Sequence, residues 1–508
     1  MVVPSILSGY EALLLPRNCN YNGMMSSQPI LKFPNKFYWG TATAAFQIEG
    51  HPEEYLAKLS DWSEWIDRED KVLKPTNEGR AVEHYQHLHE DLELVRGLNN
   101  NAYRFSFNWA RLHRGPGEFD ENTAKFYEDL LDQLVKSNKI EPFATITHFT
   151  IPNWLAKQGG WENPQTAYEF ANFTRFLVSR FGSKIKYWMT HNEPNIFLGF
   201  GYESGIWPPG FTNDYNKYFR AYQGMVLAHQ VAYKEIKTAY PNSQVGFAQN
   251  FYSFEAYDEV LQKMQSNYAG EKWKSLDLLP NIIRNQMHNF AFLESCIELD
   301  ALDFLGVNYY TRFSYKLSFN AKDPANPSSE SILWGELQDL TKANDKIKVN
   351  SLNWEIYPQG LYKVLTDKKL QRVLGGKPIF ITENGYCHVD GKPGSYAQQE
   401  PFASQNLDYS KDLNDSYRIK FINEHLIAVH KAIAENANVK GYFYWSLLDN
   451  FEWALGMAPR FGLVNVDHQS FARTPKASYN YYAEIAKNNG ILAKTPITPS
   501  HISQDANL

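Results

Sequence analysis

The chain has 508 residues, of which 43% are hydrophobic, 15% aromatic and 21% charged, and its formal net charge is −6. Those fractions are a globular chain's, with material for a large core; the negative balance argues against nucleic acid or an anionic membrane as partner, and no apolar run approaches the roughly 20 residues a bilayer crossing needs. Three cysteines, Cys19, Cys296 and Cys387, cannot all pair within one chain and show no metal-ligand spacing, which favours a reducing, cytoplasmic setting.

Residues 1–32 read as an N-terminal extension. No Lys or Arg precedes their apolar stretches, and Pro4, Ser5, Ser8, Gly9 and Glu11 interrupt them, which makes a poor secretory signal. Met24 and Met25 offer alternative translation starts. From residue 33 onward, short apolar strand candidates alternate with longer stretches of helical period, the pattern of repeated βα units. Strands are predicted at 37–46, 102–109, 141–149, 187–193, 244–250, 301–310, 378–383 and 439–447. Helices are predicted at 84–96, 121–137, 165–181, 214–240, 361–370, 415–436 and 477–488. Polar stretches 322–350 and 388–414 are too long for simple turns and are expected to wall the mouth of the fold. No repeat or linker marks a second domain. The reading is an α/β chain with a single (β/α)8 barrel domain over 33–488, long loops at the C-terminal face of its strands, and a tail at 489–508.

Two short motifs carry the chemistry. Thr190, His191, Asn192, Glu193 and Pro194 end the fourth predicted strand, and Ile381, Thr382, Glu383, Asn384 and Gly385 end the seventh. Singly, a Glu before Pro or a Glu-Asn-Gly turn is usually a solvated loop. Their glutamates are 383 − 193 = 190 residues apart, so a fold that gathers strand ends at one mouth is what brings them together. Two facing carboxyls suggest cleavage of a glycosidic bond. Strand parity adds a cation: Arg104, Ser106 and Asn108 share one face of the second strand, opposite Tyr103, Phe105, Phe107 and Trp109, so Arg104 should point into the barrel and need an anion. Glu383 is the natural candidate. Asn308 and Tyr310 share a face of the neighbouring sixth strand and can hydrogen-bond the same carboxylate. His84, His87 and His89 lack a ligand pattern and are assigned to structure.

The chain resembles glycoside hydrolase family 1, the β-glucosidase and β-glycosidase family, over roughly residues 33–485. The resemblance begins with Phe33, Pro34, Phe37, Trp39, Gly40, Ala42, Thr43, Ala44, Gln47, Glu49 and Gly50 and runs through His148, Trp161, the two glutamate motifs and Trp354. It ends with Trp445, Ser446, Leu447, Asp449, Asn450, Phe451, Glu452, Trp453, Arg460, Phe461 and Gly462. It implies a retaining exo-β-glycosidase acting on terminal β-D-glucosyl residues, with galactosyl or fucosyl residues as further substrates. Glu383 would be the nucleophile and Glu193 the acid/base, with Arg104 and Tyr310 stabilising the charge on Glu383. Gln47, His148, Asn192, Asn308, Glu452 and Trp453 would bind substrate, with Trp445 under the sugar ring. A negative Glu452 would repel a 6-phosphate.

No metal or cofactor is implied, and the partner is a small-molecule β-glycoside or oligosaccharide. A transglycosylase on the same site and a silent carbohydrate-binding homologue are the alternatives; retention of both Glu193 and Glu383 weighs against the second. The chain departs from the common family pattern at His191, which precedes the Asn-Glu-Pro run and either alters the titration of Glu193 or faces away from it. It departs also at Phe149 and Thr150, where many relatives have Trp and Asp, and at Asn353 in place of a frequent Gly. These departures leave the leaving-group preference open.

Overall fold

The computed structural model describes residues 30–492 except 51–56, 69–70, 74–78, 138, 258, 261–277, 318–321, 324–325, 331–335, 344–346 and 390–412. Eight parallel strands close into a barrel: β1 (Tyr38–Ala42), β2 (Ala102–Ser106), β3 (Glu141–Thr147), β4 (Tyr187–Asn192), β5 (Gln244–Ala256), β6 (Phe304–Lys316), β7 (Ile379–Asn384) and β8 (Val439–Trp445). Each pairs with the next, and β8 pairs with β1 to complete the ring. Parallel neighbours need long crossovers. Helices such as Pro164–Phe181, Tyr215–Ala239 and Ser416–Ala434 supply them.

Closure leaves the barrel one filled end and one polar end. Near the strand starts, Phe143 stacks on Tyr187 with ring centroids 4.3 Å apart and meets Phe443 at 4.7 Å and Phe380 at 5.1 Å. These rings plug the interior, as packed side chains do in this architecture. At the strand ends the inward residues are Arg104, Asn192, Glu193, Asn250, Asn308 and Glu383, all buried. The outer layer is apolar: Phe105, Phe107, Trp109, Trp188, Phe247 and Val307 pack in the large cluster between barrel and helices.

Several predicted boundaries move. The first two strands stop at Ala42 and Ser106, and helical turns Ala45–Ile48 and Trp109–Leu112 follow, the latter capped by the Asn108 side chain on Arg111 N at 3.1 Å. The predicted helix 84–96 begins only at Leu88. The stretch 361–370 is two helices, Pro358–Leu365 and Lys368–Leu374, because the Asp367 side chain caps Leu370 N at 2.8 Å and starts a new one. β5 and β6 run past the rim, paired as far as Ala256 and Tyr315. The helix Ala291–Glu298 has no counterpart in the prediction.

Ile30–Lys32 pairs antiparallel with Gly490–Leu492, joining segments that the sequence reading placed in the extension and the tail. Residues 1–29 with Cys19, residues 493–508 and most of the stretch 388–414 lie outside the described residues. Among the described residues no helix is long and apolar enough to cross a membrane.

Candidate active site

Register sets the level of the site. Asn308 on β6 lies opposite Glu383 on β7 and opposite Asn250 on β5. Three polar side chains from three adjacent strands therefore share one layer. Glu193 joins them from the end of β4, its N–H bonded to Ala248 O on β5 at 2.7 Å.

Irregularities aim the two glutamates. Met189 faces the barrel core, so strict alternation would turn His191 inward and Asn192 outward. Pairing of β4 with β5 shifts register between Met189 and Asn192, and the two exchange faces. His191 stacks on Phe170 at 5.2 Å with Nε2 3.2 Å from Met225 O, among the helices and away from Glu193. Burial pushes it down to about 3, so it is neutral. Asn192 turns into the barrel. Glu193 follows at φ 43°, in the left-handed region, a strained position for a non-glycine residue. A register shift before Glu383 on β7 does the same work there. After it, Gly385 passes so close to β8 that a Cβ would run into the Trp445 carbonyl oxygen.

The two carboxyls differ in their partners. Arg104 Nη1 donates to Glu383 Oε1 at 2.5 Å, and the Tyr310 hydroxyl donates to Oε2 at 2.7 Å. The guanidinium is held by further bonds to Thr382 O (3.1 Å), Thr145 Oγ1 (3.3 Å) and Asn192 Oδ1 (2.6 Å). Glu193 Oε1 accepts only neutral amides, Asn308 Nδ2 at 2.8 Å and Asn250 Nδ2 at 3.1 Å. Asn308 Nδ2 also donates to Asn192 Oδ1 at 3.1 Å, and its position opposite Glu383 lowers that acid too, so one side chain stands between both acids. Thr382 Oγ1 donates to Asn308 Oδ1 at 2.6 Å and fixes which way that amide faces.

Those partners separate the titrations. Burial, then the nearby Glu383 carboxylate, push Glu193 up to about 8. Burial raises Glu383 as well, but Arg104 and then Tyr310 pull against it. Glu383 thus holds the pocket's negative charge while Glu193 keeps its proton. Burial, with Glu383 and Glu193 behind it, pushes Glu452 up to about 8, and only the Gln47 amide opposes. The expected repulsion of a 6-phosphate needs Glu452 ionised, and burial beside Glu383 works against that charge.

Around this pair stand the other predicted residues. Gln47 Nε2 donates to Phe451 O (2.8 Å), Asn450 Oδ1 (3.2 Å) and Glu452 Oε2 (3.2 Å), while its Oε1 is buried with no partner among the described residues. His148 lies roughly parallel to Trp445 and Trp453, at 5.7 and 6.1 Å. Burial and Arg104 keep it neutral; Asn192 Nδ2 donates to its Nε2 at 3.1 Å, which puts the ring proton on Nδ1, also buried with no partner among the described residues. Two orphaned polar atoms beside aromatic faces are what a hydroxylated ligand would satisfy. Phe149 wedges between Trp207 (4.7 Å) and Trp453 (5.2 Å).

All eleven residues singled out in the sequence lie at this end of the barrel. Asn250, Asn195 and His288 belong to the same network and were missed. Gly246, Ala248 and Asn250 form an inward period-2 run that parity could have exposed; the other two carry no motif. Of the three histidines set aside, His84 bonds Asp91 at 2.8 Å, and Arg473 holds the same carboxylate at 2.9 Å. Among the described residues no group of three or more His, Cys, Asp or Glu side chains is placed to hold a metal ion.

Comparison with known proteins gives a consistent result. A sequence profile described as Glycosyl hydrolase family 1 matches residues 30–491. Beta-glucosidase A of Thermotoga maritima is 32% identical over 478 residues, which covers 91% of this chain and 99% of that protein. Beta-glucosidase 44 of Arabidopsis thaliana is 28% identical over 518 residues, covering 96% and 97%. The solved structure of the Thermotoga maritima beta-glucosidase in complex with glucoimidazole superposes with a TM-score of 0.75 at 30% identity, covering 91% of this chain and 100% of that one.

Proposed function

Because the chain belongs to glycosyl hydrolase family 1 and is a retaining O-glycoside hydrolase, we propose that it removes terminal non-reducing β-D-glucosyl residues by double displacement, with Glu383 as nucleophile and Glu193 as acid, then base. The observation that carries this reading is the unequal partnering of the two buried carboxyls, a guanidinium and a phenol on Glu383 against amides alone on Glu193.

In the first half-reaction a Glu383 oxygen bonds to the anomeric carbon as the glycosidic bond breaks, and the Glu193 proton passes to the leaving oxygen. Formation of the ester removes the charge on Glu383. That lowers the pKa of Glu193, which, its proton now on the departed alcohol, stays a carboxylate and accepts a proton from an incoming water. The water oxygen then bonds to the anomeric carbon, Glu383 departs as carboxylate, and two inversions give net retention. Gln47 Oε1 and His148 Nδ1 would take sugar hydroxyls, and Glu452 would bridge others through either of its protonation states. Trp445 would lie under the ring.

The test measures kcat/KM for aryl β-glucoside, galactoside, fucoside and mannoside, with the first-formed sugar anomer read by proton NMR. Highest kcat/KM on the glucoside with the β-anomer formed first supports the reading. Preference for another donor overturns the glucosyl assignment, and an α-anomer overturns the mechanism.

A further inference from the structure

Glu193 Oε1 carries two amide donors, from Asn308 and Asn250, while Oε2 has no hydrogen-bond partner among the described residues. A carboxylic acid bears its proton on one oxygen. A proton on Oε1 would crowd the two N–H groups and forfeit at least one of the two bonds, worth about 1 kcal/mol. The acid proton therefore sits on Oε2.

We infer that Asn250 is a positioning residue for the proposed glycosidase reaction, fixing the transferable proton of Glu193 on Oε2 and aiming that oxygen at the leaving group. This rests on the functional reading above. Asn308 also donates to Asn192 and stands opposite Glu383, so it is shared between the two acids, whereas the Asn250 Nδ2 donates to Glu193.

The rest of the network explains why Asn250 can do this. Asn195, two residues after Glu193, donates its amide to Asn250 O at 2.9 Å and to His288 O at 3.2 Å. That clamp ties the strained turn at Glu193 to the middle of β5, at the level of the site. The His288 ring stands behind it, Nε2 3.3 Å from Asn250 Oδ1 and 2.8 Å from Asn195 Nδ2, stacked on Tyr252 at 4.5 Å. Burial and Arg284 push His288 down to about 3, so the ring is neutral; with its proton on Nε2 it donates to Asn250 Oδ1, while the Asn195 amide is satisfied by the two carbonyls. The charged and titratable groups acting on Glu193 are Glu383 and Arg104, with Glu452, Tyr310 and Tyr252 coupled to it.

The test compares wild type, Asn250→Ala and the near-isosteric Asn250→Asp on two donors, phenyl β-glucoside, which needs protonation of its leaving group, and 2,4-dinitrophenyl β-glucoside, which does not. For Asn250→Ala, kcat/KM on the phenyl donor should fall about 10- to 100-fold, a fraction of a general acid's contribution, and less than about threefold on the activated donor. The alkaline limb of the phenyl profile should move upward, further in Asn250→Asp, because a donor to the ionised form is lost and a second negative charge gained. Equal loss on both donors, or a fixed alkaline limb, overturns the role of Asn250 alone. If Asn250→Ala does not fold, the same two readouts on Asn250→Asp decide. A folded wild type inactive on both donors overturns the functional reading, and this role with it.

Discussion

Tyr310→Phe removes one atom from the pocket and tests how Glu383 stays ionised. The phenol donates to Glu383 Oε2 at 2.7 Å, and its ring packs against Trp354 at 5.4 Å and Phe461 at 6.1 Å. Phenylalanine keeps those contacts and loses only the hydrogen bond. A bond to a charged group contributes about 1.5–3 kcal/mol, and about 1.36 kcal/mol corresponds to one pKa unit. The bond favours the carboxylate, so it holds Glu383 down against the rise caused by burial. Its loss should raise Glu383 by about one to two units, and the acid limb of kcat/KM should move up by that amount while the alkaline limb, set by Glu193, stays close to its place. The assay is a pH profile on an aryl β-glucoside for both proteins, each checked for an unchanged fold by circular dichroism. An acid limb that stays fixed or moves down would refute the claim that Tyr310 keeps Glu383 ionised.

Three further perturbations follow from other parts of the structure. Glu193→Gln should lower kcat/KM on phenyl β-glucoside by about 100-fold or more and abolish the alkaline limb, while 2,4-dinitrophenyl β-glucoside is hydrolysed with a much smaller loss; equal losses on the two donors would contradict an acid role. Asn353 sits at φ 61°, where Gly and Asn are tolerated and other residues are strained. Asn353→Gly should therefore leave stability within about 0.5 kcal/mol, and Asn353→Ala should cost about 1 kcal/mol in urea unfolding. His191 is buried and pushed down from 6.5 to about 3, so its stability contribution is present above pH 6.5 and is lost as pH falls toward the folded value. Between pH 7.5 and 5 the wild type should lose about 2 kcal/mol that His191→Phe does not, and equal losses in the two proteins would count against a neutral buried ring.

The parts of this site legible in the sequence are those where a strand is regular. Arg104 lies on a strand without bulges, and the alternation of Arg104 and Ser106 with Tyr103 and Phe105 assigned it to the interior, where it meets Glu383. Asn308 and Tyr310 followed from the same rule. Parity breaks at β4 and β7, where register shifts reorient Asn192 and Glu383, and periodicity alone cannot foresee a bulge. That is why His191 remained a candidate to tune Glu193 until its ring was found among the helices. His288 comes from a π-helical turn, Asn285–Phe290, which has no sequence period to betray it. The charge of Glu452 is illegible for another reason: burial and the neighbouring carboxyls bear on it, and neither is visible along the chain.

The central claim is that Glu383 attacks and Glu193 handles the proton. Azide rescue of Glu193→Ala and Glu383→Ala on 2,4-dinitrophenyl β-glucoside tests it most directly, because the small anion replaces whichever carboxylate is missing and its face of attack is recorded in the product. The account predicts a β-glycosyl azide from Glu193→Ala, formed at the glycosyl-enzyme, and an α-glycosyl azide from Glu383→Ala, formed by a single inversion. The opposite pairing of products, or the same anomer from both variants, would contradict it.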